Sequence, residues 1–304
     1  MKKLLKRTAS AIFGNKKTVL VESETQLLAL GALLSNQQKL MNSDRINDYE
    51  FKIFSQFGDD GIIQFLVNNI RIDNKTFVEF GVENYLESNT RFLMMHSNWS
   101  GFVMDGSEAN MDSLRRRPWY WKHALDCQAI FIDRDNINGL MEKTGFRDLG
   151  LLHIDLDGND YHILEAMDLT VLNPSILIME YNAVFGSEKA VTVPYAADFY
   201  RTRAHFSNLF YGASLPALDW LARKKGYRLV ACNEAGNNAY FVREDLLNEK
   251  IKEASLASSF RAAKFRESRD EEGRLTLLGQ RARQQQIRGM EVLNVLTGEL
   301  EKLP

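Results

Sequence analysis

The stretch HIDLDGNDYH, residues 153–162, sets three aspartates (Asp155, Asp157 and Asp160) within six residues, flanked by His153 and His162. Carboxylates this close can hold a hard cation, accept a proton or close a polar turn. An EF-hand calcium loop needs glycine at its sixth position and a bidentate Glu at its twelfth. Counted from Asp155, those positions hold Asp160 and Ala166, and an apolar helical rhythm (Ile163, Leu164, Ala166, Met167) begins at once. The pattern does not fit an EF-hand. The alternatives are an acidic strand end facing a ligand, or a hydrogen-bonded turn of Asp157, Asn159 and Asp160 that caps the next helix.

Elements must bring such residues together, and the sequence contains a regular set of them. TFVEF (76–80), GFVMD (101–105), QAIFI (128–132), GLLHID (150–155) and SILIME (175–180) are short apolar runs whose starts lie about 25 residues apart, as in successive βα units. They are apolar nearly throughout, as parallel strands covered on both faces are. After a longer insert (184–214) come the helical ALDWLARKKGYR, then YRLVAC (227–232) and AYFVRE (239–244) around the turn NEAGNN, the spacing of an antiparallel hairpin. The expected fold is α/β: a doubly wound, Rossmann-like sheet of seven strands with a terminal antiparallel hairpin, over residues 51–245. Residues 1–50 read as an N-terminal helical extension, and 246–304 as a charged C-terminal helical extension without strands. In open α/β sheets ligands bind beyond the carboxyl ends of the strands. Glu79, Asp105, Asp155 and Glu180 stand at or beside such ends.

Composition excludes several classes. With 45% hydrophobic residues the chain can bury a sizeable core, and its net charge of −2 gives no global attraction to nucleic acid. The basic, aromatic RRRPWYWKH (115–123) is too short to reverse that expectation. Cys127 and Cys232 form no CxxC pair, so they read as buried thiols of a reducing, cytoplasmic compartment. No apolar run approaches the roughly 18 residues of a membrane-spanning helix. The basic start MKKLLKRTASAIFGNKK has too short an apolar segment for a secretion signal. It reads as a solvated helix, or as a segment lying on an anionic membrane surface. The leucine-spaced TQLLALGALLSNQQKLM and the C-terminal region are candidate surfaces for a homo-oligomer.

The loop after the first strand, GVENYLESN, has one glycine where a dinucleotide fingerprint needs three, so no pyrophosphate cradle is expected. Its Glu83 and Glu87 would repel phosphate. A cationic ligand without phosphate fits better, and S-adenosylmethionine, with a sulfonium and an ammonium, is one.

From about residue 54 to 243 the chain resembles class I S-adenosylmethionine-dependent methyltransferases, and more narrowly the FkbM-like group. LLHIDLDGNDYHILEAM resembles that group's hhKIDxEGxExxVLxG pattern, with Asp157 where the group has Glu and His153 where it has Lys; PSILIMEYN resembles its fifth strand. The first loop departs from the group's glycine-rich form. The resemblance implies that Glu79 and Gly81 border the methionine part of the cofactor. Asp105 would take the ribose hydroxyls, Asp133 or Asp135 with Asn136 the adenine edge, and Asp155 would face the methyl-transfer crevice. A weaker resemblance to cation-dependent O-methyltransferases implies Mg²⁺ on Asp155, Glu180 and Asn182, although Gly158 stands where those enzymes have lysine.

The base for such a reaction is sought among the histidines: His162 and His205 are the candidates, while His153, inside a strand, also reads as a core residue. Aromatic and polar residues of the insert suit a lid over a sugar ring. The expected function is an O-methyltransferase acting on a hydroxyl of a saccharide or glycan precursor. The alternatives are a non-catalytic methyltransferase-like binding module, or a metal-dependent transferase with another donor, such as an activated sugar.

Overall fold

Apolar runs form strands where both of their faces find cover. In the computed structural model, which describes residues 23–304, these are β1 (Thr76–Phe80), β2 (Ser100–Asp105), β3 (Leu125–Ala129), β4 (Leu151–Ile154), β5 (Ile176–Glu180), β6 (Val191–Thr192), β7 (Tyr227–Cys232) and β8 (Asn238–Arg243). Seven of them make one sheet in the order β3-β2-β1-β4-β5-β8-β7. All pairs from β3 to β5 are parallel, whereas β8 runs antiparallel to both β5 and β7. The helices α2 (Asp59–Asn69), α3 (Arg91–Ser97), α4 (Glu108–Arg115), α5 (Ile137–Thr144), α6 (Asp160–Ala166) and α8 (Leu215–Lys224) cover it on both faces, with α1 (23–38) packed outside them on Phe54 and Phe92 and α7 (Arg201–Ala204) in the insert.

Alternation along each strand divides the core in two. Val78, Phe80, Leu152, Ile154, Leu177 and Met179 pack under α5, α6 and α8. Phe77, Val103, Leu151, Ile176 and Ile178 pack under α2, α3 and α4. The space on that second face is tight. A Cβ on Gly101 would sit 2.0 Å from the Phe77 ring, so the glycine makes room for the aromatic on the neighbouring strand. The chain leaves β1 in one direction toward β2 and in the other toward β4, and a crevice opens where such connections diverge.

Two expectations change. β3 begins at Leu125, not Gln128, and ends at Ala129. It is the sheet's edge, and Ile130, Phe131 and Ile132 of the apolar run instead line the crevice. The C-terminal region is not a helical extension. Beyond the short α9 (Leu256–Ser259) and α10 (Gln280–Gln286) it forms a hairpin of β9 (Glu291–Asn294) and β10 (Leu300–Lys302). β9 pairs with β6 of the insert to give a second, antiparallel sheet, β10-β9-β6. Ile287, Val292 and Leu303 share a small core with Val184, Phe185, Val191, Val193, Leu209 and Phe210, so the insert and the end of the chain are one layer. Lastly, the reading of residues 1–22 lies outside the described residues; the helix that follows packs through Gly31 onto Phe92.

Candidate active site

A cleft of about 730 Å³ opens at the carboxyl ends of β1, β2, β4 and β5. The first loop is held to its floor by Glu79. This buried carboxylate accepts hydrogen bonds from Ser88 Oγ (2.6 Å), Asn89 N (2.9 Å), Thr90 N (3.2 Å), Thr90 Oγ1 and His153 Nδ1 (3.0 Å). Burial pushes its pKa up, but His153, Ser88 and Thr90 outweigh that and hold it below the usual range. Burial opposes protonation of His153 in turn, and the hydrogen bond and charge of Glu79 raise its pKa regardless. Glu79 is therefore an organiser of the loop with both oxygens occupied. Gly81 has φ +68°, and a Cβ there would meet the Asp155 carbonyl oxygen at 1.7 Å, so β1 and β4 can close together only around a glycine.

Asp105, at the end of β2, accepts from Glu83 N (2.9 Å) on Oδ2, and from Ser107 N (2.8 Å) and Asn110 Nδ2 (3.1 Å) on Oδ1. It faces the cleft, and Oδ2 keeps a free lone pair.

The opening stretch contains both a turn and a strand end. Asp160 closes the turn, accepting from Leu156 N (2.7 Å) and Gly158 N (2.9 Å). That frees Asp155 and Asp157 to meet Glu180 of β5, with one carboxylate oxygen from each lying within 4.8 Å of the others. The Glu180 Oε2 atom is buried without a hydrogen-bond partner among the described residues. Burial, reinforced by Asp157, pushes Asp155 up to about 7. Burial, with Asp155 and Asp157 nearby, pushes Glu180 well above the carboxylate range. Arg201 of α7 approaches from the insert. It donates to Asp157 (2.7 Å), to Glu267 (3.1 Å) of the C-terminal region and to the Asn208 carbonyl (2.8 Å), and stacks on Tyr211 at 3.8 Å.

Glu79, Gly81, Asp105, Asp155 and Glu180 thus converge on the cleft, while the other expected residues do not. Asn182 is turned into the insert: it accepts from Val184 N (2.9 Å) and donates to the carbonyls of Leu209 (2.8 Å) and Tyr211 (3.0 Å). Asp157 takes its place beside Asp155 and Glu180. Asp135 is exposed outside the cleft, and Asn136 closes its own loop through the Phe131 carbonyl (2.8 Å) and Asp133 N (3.1 Å). His162 is buried with both nitrogens engaged, Nε2 on the Val193 carbonyl (2.8 Å) and Nδ1 facing Arg134 (2.7 Å). Burial pushes its pKa down to about 4. His205 binds Ser207 (2.7 Å) on the insert, away from the cleft lining. Neither of these histidines is placed to act as a base there. Arg201, Glu267 and the exposed pair Phe131–Tyr200, stacked at 6.0 Å across the rim, were not singled out from sequence. The FYRTR segment of the insert, with two aromatics directly before its cations, was the available signal for two of them.

Strand order and the antiparallel β8 define the molecule as a seven-stranded, Rossmann-like methyltransferase fold. No protein-family model matches the sequence, and no curated protein matches it. Among solved structures the chain is similar to an O-methyltransferase from Bacillus cereus in complex with S-adenosyl-homocysteine, at 13% identity and TM-score 0.39, over 71% of this chain and 89% of that one. It is also similar to TrmK from M. capricolum in complex with the same product, at 9% identity and TM-score 0.37, over 64% and 73% of the two chains. A third is an S-adenosylmethionine-dependent methyltransferase from Clostridium acetobutylicum, at 12% identity and TM-score 0.37, over 60% and 89%.

Proposed function

We propose that the chain is an S-adenosylmethionine-dependent O-methyltransferase of the FkbM-like group, acting on a hydroxyl of a saccharide or saccharide-bearing precursor. The observation that carries this reading is the sign of the cleft. Among the described residues that line it, eight are Asp or Glu and Arg201 is the one Lys or Arg. Arg91, the cation nearest the first loop in sequence, is buried against Phe54 and Trp119 and paired with Glu24. Such a cleft repels phosphate and attracts a cation, which disfavours nucleotide-sugar donors and favours a sulfonium with an ammonium.

The residues fit that cofactor. The lone pair of Asp105 Oδ2 suits a ribose diol, and Ile130, Phe131 and Ile132 give an apolar wall for a purine. S-adenosylmethionine supplies an electrophilic methyl group when bound. The protein's part is to hold the acceptor oxygen in line and to take its proton. Asp155 is the base: its carboxylate has a pKa near 7, makes no hydrogen bond to the described protein, and faces the cleft. The exposed ring of Tyr200 offers a face to the apolar side of a sugar, and the acids of the cleft accept hydrogen bonds from its hydroxyls.

A second reading adds a divalent cation. Asp155, Asp157 and Glu180 offer hard oxygen ligands of the kind Mg²⁺ takes, and the unpartnered Glu180 Oε2 is otherwise costly to bury. A metal there would orient the acceptor oxygen and lower its pKa.

Calorimetric titration of S-adenosylmethionine and S-adenosyl-homocysteine, with and without Mg²⁺, tests both readings. Micromolar binding is expected, weakened about tenfold or more by Asp105→Ala, since the lost carboxylate bonds to hydroxyls are worth roughly 1.5 to 3 kcal/mol. Absence of binding, or an Asp105→Ala variant that binds as the wild type does, defeats the cofactor reading. Mg²⁺ should raise the melting temperature of the wild type and not that of Glu180→Gln; equal effects on both defeat the metal.

A further inference from the structure

Past Asp155 the cleft runs to β5 and the β7–β8 hairpin, where Glu180, Asn237 and Asn238 line it. Glu180 of β5 and Asn238 of β8 are register partners. Beside them Tyr181 N donates to the Asn237 carbonyl (2.7 Å), so the two form a non-hydrogen-bonded pair, the kind whose side chains stand closest on one face of a sheet. Both are more than nine-tenths buried, at 8% and 4% exposure, yet Glu180 Oε2 and Asn238 Oδ1 have no hydrogen-bond partner among the described residues. The amide of Asn238 is not free to turn over and offer a donor. Its Nδ2 is held by Asp59 Oδ1 (2.9 Å), which also accepts from Asn233 Nδ2 (2.9 Å) and the Tyr240 hydroxyl. A flip would set the amide oxygen against that carboxylate. On the turn after Asp155, Asn159 repeats the arrangement: Nδ2 donates to the Ala196 carbonyl (2.8 Å), and Oδ1 is buried without a partner. Among the described residues that line the cleft, these are the orphaned side-chain atoms, and all are acceptors.

We propose that Glu180 and Asn238 receive a protonated amine of the acceptor, so that the saccharide methylated is an amino sugar; the inference rests on the saccharide reading above. An ammonium brings three N–H donors and a positive charge, which is what neighbouring orphaned oxygens and a buried carboxylate lack. A hydroxyl brings one donor and no charge, and an acetamido group likewise. Arg201 does not fill the role: its guanidinium is engaged by Asp157, Glu267 and the Asn208 carbonyl. Asn237 supplies the complementary group. Its Oδ1 accepts from Asn233 Nδ2 (2.8 Å), which leaves its own Nδ2 to donate to a hydroxyl beside the amine. Held as an ammonium, the nitrogen has no lone pair and does not compete with the hydroxyl for the methyl group.

Calorimetric titration of the full chain with D-glucosamine, N-acetyl-D-glucosamine and D-glucose tests the proposal, with and without S-adenosyl-homocysteine. Slightly acidic buffer keeps the amine protonated, and EDTA removes any contribution from metal. Glucosamine should bind about tenfold or more tightly than the other two, as charge-assisted hydrogen bonds exceed neutral ones. Asn238→Ala should weaken glucosamine about tenfold and leave glucose unchanged, with an unchanged circular dichroism spectrum and an unchanged S-adenosyl-homocysteine titration. Equal affinity for the three sugars, or a preference for glucose or N-acetylglucosamine, overturns the ammonium on the wild type alone and leaves the saccharide reading standing. So does an Asn238→Ala variant that binds glucosamine as the wild type does. Binding of none of the three overturns both, and the S-adenosyl-homocysteine titration by itself tells that result from a failure of the cofactor reading.

Discussion

Glu180 illustrates how a site residue trades stability for function. Its carboxyl is buried beside Asp155 and Asp157, and its pKa is raised. A raised folded-state pKa favours the fold fully only below the unfolded value; the contribution is lost as pH rises through the folded value and the charge is forced into the cluster. Glu180→Gln keeps the shape and removes the charge. Thermal melts should show the variant and wild type together near pH 5 and the variant more stable at pH 8. Each kcal/mol relieved is worth roughly 2 to 4 °C for a domain of this size. Equal melting temperatures at pH 8 would mean that Arg201 already neutralises the group.

The site depends at the next scale on how closely β1 and β4 approach. Gly81, at the mouth of the first loop, is the contact point, since its missing Cβ leaves room for the Asp155 carbonyl. Gly81→Ala imposes both a left-handed backbone on a residue with a side chain and a clash with main chain. A cost of about 3 kcal/mol in denaturant unfolding is expected. Cofactor affinity should fall with it, because the ends of both strands shift. A stable variant with native affinity would show that the strands have slack there.

For the whole molecule, the unexpected feature is the layer formed by the insert and the end of the chain. The insert carries Tyr200 and Arg201 to the cleft, and the end of the chain, from Ile287 through the β9–β10 hairpin, braces it with Ile287, Val292 and Leu303. Removing residues 287–304 exposes the apolar partners of those three side chains, each worth about 2 kcal/mol of burial. Limited proteolysis of the truncated chain should cut first within 184–214, leaving two resistant fragments, one with β1–β5 and one with β7 and β8, that stay associated through the β5–β8 pairing. Cleavage of that segment at the wild-type rate would mean that the insert stands without its brace.

The apolar runs at regular spacing, the acids at or beside four of the five strand ends and the hairpin spacing at 227–244 were sufficient to derive the seven-stranded sheet and to place Glu79, Gly81, Asp105, Asp155 and Glu180 at the carboxyl ends of its strands. Those signals are local: a strand covered on both faces must be apolar throughout, and a residue at its carboxyl end must face the crevice. The tertiary structure alone decided the rest. Asn182 and His162 are spent on carbonyls of the insert, Asn136 on its own loop, and Asp157 joins the acidic group because Asp160 turns the chain beneath it. The run EVLNVLTGELEKL gave no clear strand signal because its hairpin is short and largely exposed, and its pairing with β6 lies about 100 residues away in sequence. Which polar group remains free to meet a ligand depends on which others have found partners in the fold, and that is a property of the folded chain rather than of any segment of it.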